Sequence, residues 1–456
     1  MKSLSFKEII KITGGQLQKG SDEGFIDGIV IDSRQCRDSD LYIPIVGENN
    51  NGHDFIGSAH ENGAKIVLTQ ETERQFPEKL TVVAVPSTFK ALQDLAMYNR
   101  NRYDIPVIAI TGSSGKTTTK DLVAAVLGQK YKTLKTQGNF NNQFGIPQTL
   151  LKFEESHQMA VIEMGMDHLG DIEKSIALVR PAISVITNVG LTHIEILKSQ
   201  DNIFKAKKEI LLTLGEKDIA LINNDDTCLK TLKEEALPYT LKTFGLNEAA
   251  DIYVTAWSAD QEGLKIEVMA DRKAENYTFK LPGQHNVYNC LVAIFLGKHF
   301  ALTQAQIQAG LDAFEPSANR MDIFKEQEML VINDSYNANP DAMRGALDVL
   351  DTYAAGGKRR IAVLGDMLEM GQYAPEAHLK IGRYAQNKAD LLIAVGADSK
   401  KIVEGFNRPE AVYHFAQVED AVEKFLALLN KDDVILIKAS RGIHLERLVL
   451  ALKEGK

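Results

Sequence analysis

The residues best equipped for chemistry lie in PVIAITGSSGKTTTK, residues 106–120. Gly112 and Gly115 frame Ser113 and Ser114, and Lys116, Thr117 and Thr118 follow. Glycines let backbone N–H groups converge on an anion, and a helix starting near Lys116 turns its positive end toward the same point. Lysine then adds a cation for the outer phosphates and Thr117 a hydroxyl suited to Mg2+. The spacing departs from G-x-x-x-x-G-K-[ST], because Ile110 stands where the first glycine would be. A glycine turn beside an exposed lysine is the plain alternative, and the apolar run before it and the threonines after it weigh against that.

Further candidates stand just past apolar runs. VIAI (107–110), AVIEM (160–164), SVITNV (184–189) and IALIN (219–223) are continuous rather than alternating, which suits strands buried on both faces of a parallel sheet. They end in Thr111, Glu163, Asn188 and Asn223, and ligands of open α/β sheets gather beyond the carboxyl ends of the strands. Glu163 could serve a metal on phosphates, or be a solvated strand end. His193, in TNVGLTHIE, could bind a second metal or a phosphate oxygen, or be a satisfied polar residue. FKAKKEIL crowds Lys205, Lys207 and Lys208 together, a pattern that by spacing alone describes a solvated helix face.

The elements that must position these groups fall into three stretches. Residues 1–100 mix short helical and strand-like pieces around the turn-rich VGENNNGHDF (46–55). Residues 101–315 carry the buried runs, then an alternating stretch at 252–281 that predicts antiparallel strands and a helix beginning near Asn286. From 316 to 456 strand and helix patterns alternate again, MLVIND, RIAVLGD, LLIAVG, AVYHF and VILIKAS marking strands of a separate doubly wound domain. The expected class is α/β throughout, and 456 residues suit about three domains. A formal charge of -9 disfavours a general grip on nucleic acid or anionic lipid. Three scattered cysteines fit a reducing compartment, and no apolar run approaches a membrane span, so a cytoplasmic protein without membrane insertion is expected. No assembly signal appears, and a monomer is the expectation.

The shortened loop AITGSSGKTTT resembles that of the Mur ligases and folylpolyglutamate synthases, and the glutamate, histidine and lysine after it keep the Mur ligase order. The resemblance implies a three-domain architecture: a small α/β N-terminal domain, a central P-loop ATPase-type parallel sheet and a C-terminal Rossmann-like domain. It implies ATP and two Mg2+ ions, with Thr117, Glu163, His193 and Lys207 as metal ligands and Lys207 as an N-carboxylated lysine. Choosing Lys207 over its neighbours follows the pattern A-K-x-x-[IL], and Lys205 and Lys208 are expected to lower its pKa. GQHNVYN resembles G-x-H-N-x-x-N, which puts Asn286 and Asn289 on adenine; without it they read as an N-cap and a surface residue. Arg320, in ANRM, matches an arginine that reaches the nucleotide phosphates, and Asp334 and Tyr336, in INDSYNANPDAM, lie toward the nucleotide in the family.

DSYNANP, GNFNNQFGIPQTLL and VLGDMLEMG resemble one branch, whose members join D-alanyl-D-alanine to UDP-N-acetylmuramoyl-tripeptide through an acyl phosphate. That implies substrate contacts from Ser33 and Arg34 (DSRQ), from Asn139, Asn141 and Asn142, from Asn337 and Asn339, and from Ser440 and Arg441 (IKASRG). The chain departs from the branch pattern at Val46 and Asn51, where lysine and aspartate are usual, and at Lys198 and Ala439, where glycine is common. A sister amide ligase would make the branch motifs coincidence. A P-loop ATPase acting as a switch would leave DSR and DSYNANP without a task.

Overall fold

A computed structural model describes residues 1–454, and the chain divides into two units. One comprises Met1–Val107, Lys132–Met164 and Glu173–Pro181. The other comprises Ile108–Tyr131, Gly165–Ile172 and the chain from Ala182 onward.

In the first unit, short strands order as Gln16–Lys19, Thr81–Ala84, Ala64–Thr69, Asp40–Tyr42 and Gly28–Val30. The first pair is antiparallel and the others parallel. Tyr42, Val67 and Val82 fill the core behind them with Ile56 and Ala59 of a neighbouring helix. Thr133–Lys135 and Met159–Glu163 form a parallel pair in the same unit. The 46–55 stretch closes as a Val46–Asn51 bridge followed by a tight helical turn, Gly52–Phe55. Asn51 accepts from the His53 amide at 3.1 Å and donates to Glu71 at 2.7 Å. An aspartate there would set two carboxylates face to face, which is a physical reason for this departure.

In the second unit the strands run in the order Lys273–Phe279, Gly263–Ala270, Ile252–Asp260, Thr240–Gly245, Ile219–Asn223, Ile183–Ile186 and Val107–Thr111. The hairpins among 252–279 are antiparallel and the remaining pairs parallel, as the change from continuous to alternating runs predicts. A second sheet orders Asp322–Glu326, Met329–Asn333, Val434–Lys438, Arg360–Gly365, Leu391–Val395 and Val412–Phe415. Its first strand is antiparallel and absent from the sequence reading, because it is short, polar and only half-buried. The helix Pro340–Tyr353 starts as its sequence prescribes, with Asn339 capping the Ala342 amide at 2.9 Å and proline in the first turn.

Ala439, in place of glycine, is buried and does not carry a positive φ, so its methyl group fits. Lys198 is different: it ends the short helix Ile194–Leu197 at φ 69°, a left-handed conformation that glycine adopts without strain. Lys198→Gly is expected to stabilise the protein by about 0.5 kcal/mol, the relief of backbone strain exceeding glycine's extra unfolded-state entropy. Scanning calorimetry checks this, and a lowered unfolding midpoint would contradict it.

Candidate functional site

The phosphate loop forms where the buried strand Val107–Thr111 turns into the helix Lys116–Leu127. Gly112 (φ 153°) and Gly115 (φ 80°) make the turn. A Cβ on Gly112 would overlap Thr187 Oγ1, and one on Gly115 would come within 2.8 Å of Asn289 Oδ1. The neighbouring strand end clamps the loop from below. Ser113 N–H donates to the Asn188 carbonyl (3.0 Å), Ser114 N–H to Asn188 Oδ1 (2.8 Å), and Thr187 Oγ1 to the Ser114 carbonyl (2.6 Å). Lys116 Nζ folds back onto the Gly112 carbonyl at 2.7 Å. Thr117 is buried in the first helical turn and Thr118 is half-buried.

Lys207 lies on the helix Gln200–Lys208 and is 1% exposed, whereas Lys205 is exposed and Lys208 reaches Glu235 at 2.5 Å. Burial holds the Lys207 ammonium well below its usual pKa range, with the nearby Lys116 charge adding to the effect. That corrects the expectation that Lys205 and Lys208 depress it: one faces solvent and the other is neutralised by an acidic partner. Asn286 and Asn289 are neither an N-cap nor surface residues. Both are buried; Asn289 donates to Asn286 Oδ1 (3.1 Å) and accepts from Thr119 Oγ1 (3.0 Å), beside the phosphate loop.

His193 is held at φ 59°, and its Nδ1 lies 2.7 Å from Glu369 Oε2 and 3.4 Å from Asp167 Oδ1. The close approach of His193 is the main reason the Glu369 carboxyl sits below its ordinary pKa range. Ser114 Oγ accepts from Asn339 Nδ2 at 2.9 Å, so the phosphate loop touches the helix that opens the C-terminal half. Lys438 is buried on the last strand of that half, 2.5 Å from Asp334 Oδ2 and 2.9 Å from the Asn337 carbonyl, and fixes the DSYNANP turn. Arg320 stacks on Tyr336 with its guanidinium 3.8 Å from the ring centre, and Arg441 lies 5.4 Å from the same ring. Around them opens a cavity of about 210 Å³ lined by His193, Tyr336, Asn337, Asn339, Glu369 and Arg441, among others.

Ser440 also lines the cavity and accepts from the Leu368 amide at 2.9 Å, and the other remaining candidates lie in the first unit. Glu163 is buried at its strand end, so it is not a solvated terminus, and it accepts from Asn141 Nδ2 at 2.8 Å. Asn142 caps the following helical turn through the Gly145 amide (2.9 Å), while Asn139 stays exposed. Ser33 is buried and its carbonyl accepts from Asn62 (3.0 Å), whereas Arg34 is 85% exposed and paired with Asp32 at 2.8 Å. Sequence reasoning missed Glu369, whose loop served only as a branch marker, and the clamp by Thr187 and Asn188. The polar TN ending a buried run was the available signal for the clamp.

A phosphate loop on a parallel sheet, hydrogen-bonded to a second α/β half, defines a nucleotide-phosphate-binding α/β protein. The chain belongs to the Mur ligase family. Residues 25–100 match the Mur ligase family catalytic domain, 110–297 the Mur ligase middle domain and 319–441 the Mur ligase glutamate ligase domain. It is 34% identical to a UDP-N-acetylmuramoyl-tripeptide--D-alanyl-D-alanine ligase of Bacillus subtilis (strain 168) over 98% of both chains. It is 32% identical to the enzyme of that name from Escherichia coli (strain K12), over 100% of this chain and 99% of the relative. Among solved structures, MurF from Acinetobacter baumannii superposes with a TM-score of 0.91 at 27% identity, covering 100% of this chain and 99% of that one. MurF ligase from Thermotoga maritima in complex with ADP gives 0.82 at 26% identity, covering 93% and 97%.

The buried lysine predicts a pH signature. Because its folded-state pKa lies below the ordinary 10.5, the unfolded chain binds the extra proton over the interval between them, and stability rises with pH there. Lys207→Met is therefore expected to be more stable than the parent at neutral pH in CO2-free buffer, by an amount that shrinks as pH climbs toward 10.5. Denaturant unfolding across that range checks it; a pH-independent difference would show that the amine is not desolvated.

Proposed function

We propose that this protein is an ATP-dependent ligase that joins D-alanyl-D-alanine to UDP-N-acetylmuramoyl-tripeptide in the cytoplasm, through an acyl phosphate. One observation carries the reading beyond ATP hydrolysis. The phosphate loop is hydrogen-bonded through Ser114 and Asn339 to the half that bears a polar cavity, so a phosphoryl group and an acceptor would be held side by side. Near full-length similarity to the relatives above supports the choice of substrates.

A carboxylate cannot expel oxide, so the tripeptide's terminal carboxylate must first take the γ-phosphoryl group of ATP. Phosphate then leaves when the dipeptide amine attacks the acyl carbon. The chain's part is positioning and charge stabilisation. Loop N–H groups cradle the phosphates, and Lys116 leaves the Gly112 carbonyl to meet them. Arg320 comes off Tyr336 to grip phosphate oxygens in a pair. Asn286 and Asn289 hold the adenine end and Asp334 and Tyr336 the rest of the nucleotide, while Asn337, Asn339, Ser440 and Arg441 face the peptide substrates. Ser33 and Arg34 take the uridine diphosphate end in the first unit, where Arg34 is exposed and would exchange Asp32 for the diphosphate. Domains of about residues 1–100, 101–315 and 316–456 divide these tasks.

Mg2+ would neutralise charge on the transferring phosphoryl group. The donors assigned in this reading are Thr117, His193 and Lys207 in the second unit and, in the first, Glu163. The donor set fits a hard cation in one chemical form only. A lysine amine is a poor Mg2+ ligand, whereas its carbamate is an oxygen donor, and burial beside Lys116 favours the neutral Lys207 amine, the form that reacts with CO2.

Phosphate release from Mg-ATP should require both UDP-N-acetylmuramoyl-tripeptide and D-alanyl-D-alanine, with the pentapeptide product seen by mass spectrometry. No turnover with either a lysine- or a diaminopimelate-containing tripeptide would sink the assignment. Lys116→Ala is expected to lower kcat by roughly 10²–10³, the usual cost of removing one group that stabilises transition-state charge.

A further inference from the structure

The loop carrying the VLGDMLEMG sequence has no task in the mechanism so far. It runs from the end of the strand Arg360–Gly365 to the cavity, placing Leu368, Glu369 and Met370 on its wall. Glu369 adopts φ 60°, a left-handed conformation costly for a side chain of this size, and strain of that kind persists only where surrounding contacts enforce it. The contacts are present: the Glu369 carbonyl accepts from the Glu195 amide at 3.1 Å, and a Cβ on Gly371 would lie 3.2 Å from Glu195. The loop is thus pinned to the turn after His193 with the Glu369 carboxylate aimed at His193 Nδ1, and 52% of that side chain stays accessible.

The cavity has opposite charges among its lining groups. Glu369 supplies the carboxylate and Arg441 the guanidinium, while Leu368, Met370 and Ala338 add apolar surface between amides and hydroxyls. At about 210 Å³ it is smaller than the roughly 300–1,000 Å³ typical of drug-sized ligands. A short zwitterion with small apolar side chains suits that volume and polarity. Its ammonium would take the place of the His193 imidazole beside Glu369.

Resting on the ligase reading above, we infer that Glu369 is the residue that binds the amine end of the incoming dipeptide, orienting its nitrogen toward the phosphate loop. Selectivity for a free amino terminus follows from this contact. A carboxylate draws an ammonium to it and has nothing to offer an uncharged end, so the wrong ligand gains nothing from this contact.

The test compares D-alanyl-D-alanine with its des-amino analogue, propanoyl-D-alanine, on the full-length enzyme with saturating ATP and UDP-N-acetylmuramoyl-tripeptide. KM for the dipeptide and the inhibition constant of the analogue are measured for wild type, Glu369→Gln and Glu369→Asp. The parent is expected to favour the dipeptide about tenfold over the analogue. Glu369→Gln should bring that ratio near one by raising KM for the dipeptide, with KM for ATP and for the nucleotide tripeptide unchanged, and Glu369→Asp should restore part of it. A Glu369→Gln enzyme that keeps the ratio, or that loses kcat with every KM unchanged, overturns the inference and leaves Glu369 as a partner of His193 alone. Absence of dipeptide-dependent turnover in the wild type would overturn both the inference and the ligase reading, so the two failures are distinct.

Discussion

Close approach of backbone to backbone at the strand-to-helix turn is the constraint on which the rest of this structure depends. Thr187 and Asn188 reach the phosphate loop because Gly112 and Gly115 carry no side chain, and Asn289 lies against Gly115 for the same reason. Any Cβ at Gly112 would occupy the place of the Thr187 hydroxyl, so the loop, the strand beside it and the helix Gln284–His299 are fitted to one another through two absent side chains. The Asn339 contact extends the same assembly into the C-terminal half.

Charge is distributed around that loop in a consistent way. Lys116 rests on a carbonyl, Arg320 on an aromatic ring, and Lys207 in a pocket that disfavours its charge. The neutral ring beneath Arg320 holds a guanidinium less strongly than a phosphate anion does, so a bound phosphate can draw that cation to itself. Lys438 is the exception. Its buried bond to Asp334 is a fixed strut, and removing either partner would leave an uncompensated charge in the interior.

Two residues with strained backbones meet at the cavity. His193 and Glu369 both adopt left-handed backbone conformations, and they face each other across the cavity mouth. Lys198, a few residues on, is left-handed as well, but it ends a helix and its side chain is exposed, so its strain has no partner and is open to relief by glycine.

Much of this was legible in the residues. Continuous apolar runs mark strands buried on both faces, the alternation at 252–281 marks the hairpins, and the polar residue closing each run marks where the site lies, because these signals are local and repeat with the period of the backbone. The short polar strand Asp322–Glu326 escaped, since its pairing with Met329–Asn333 supplies the order that its own sequence does not. Among the site residues, spacing alone could not separate three lysines on one helix. Burial did, by putting Lys207 alone in an apolar environment beside Lys116. Glu369 stands far along the chain from His193, and no periodicity links them; only the folding of one loop onto another brings the carboxylate to the imidazole. The chain's order of residues determined which groups end the strands and which turn needs glycine, whereas desolvation and the meeting of distant loops belong to the tertiary structure, because they depend on neighbours that sequence proximity does not supply.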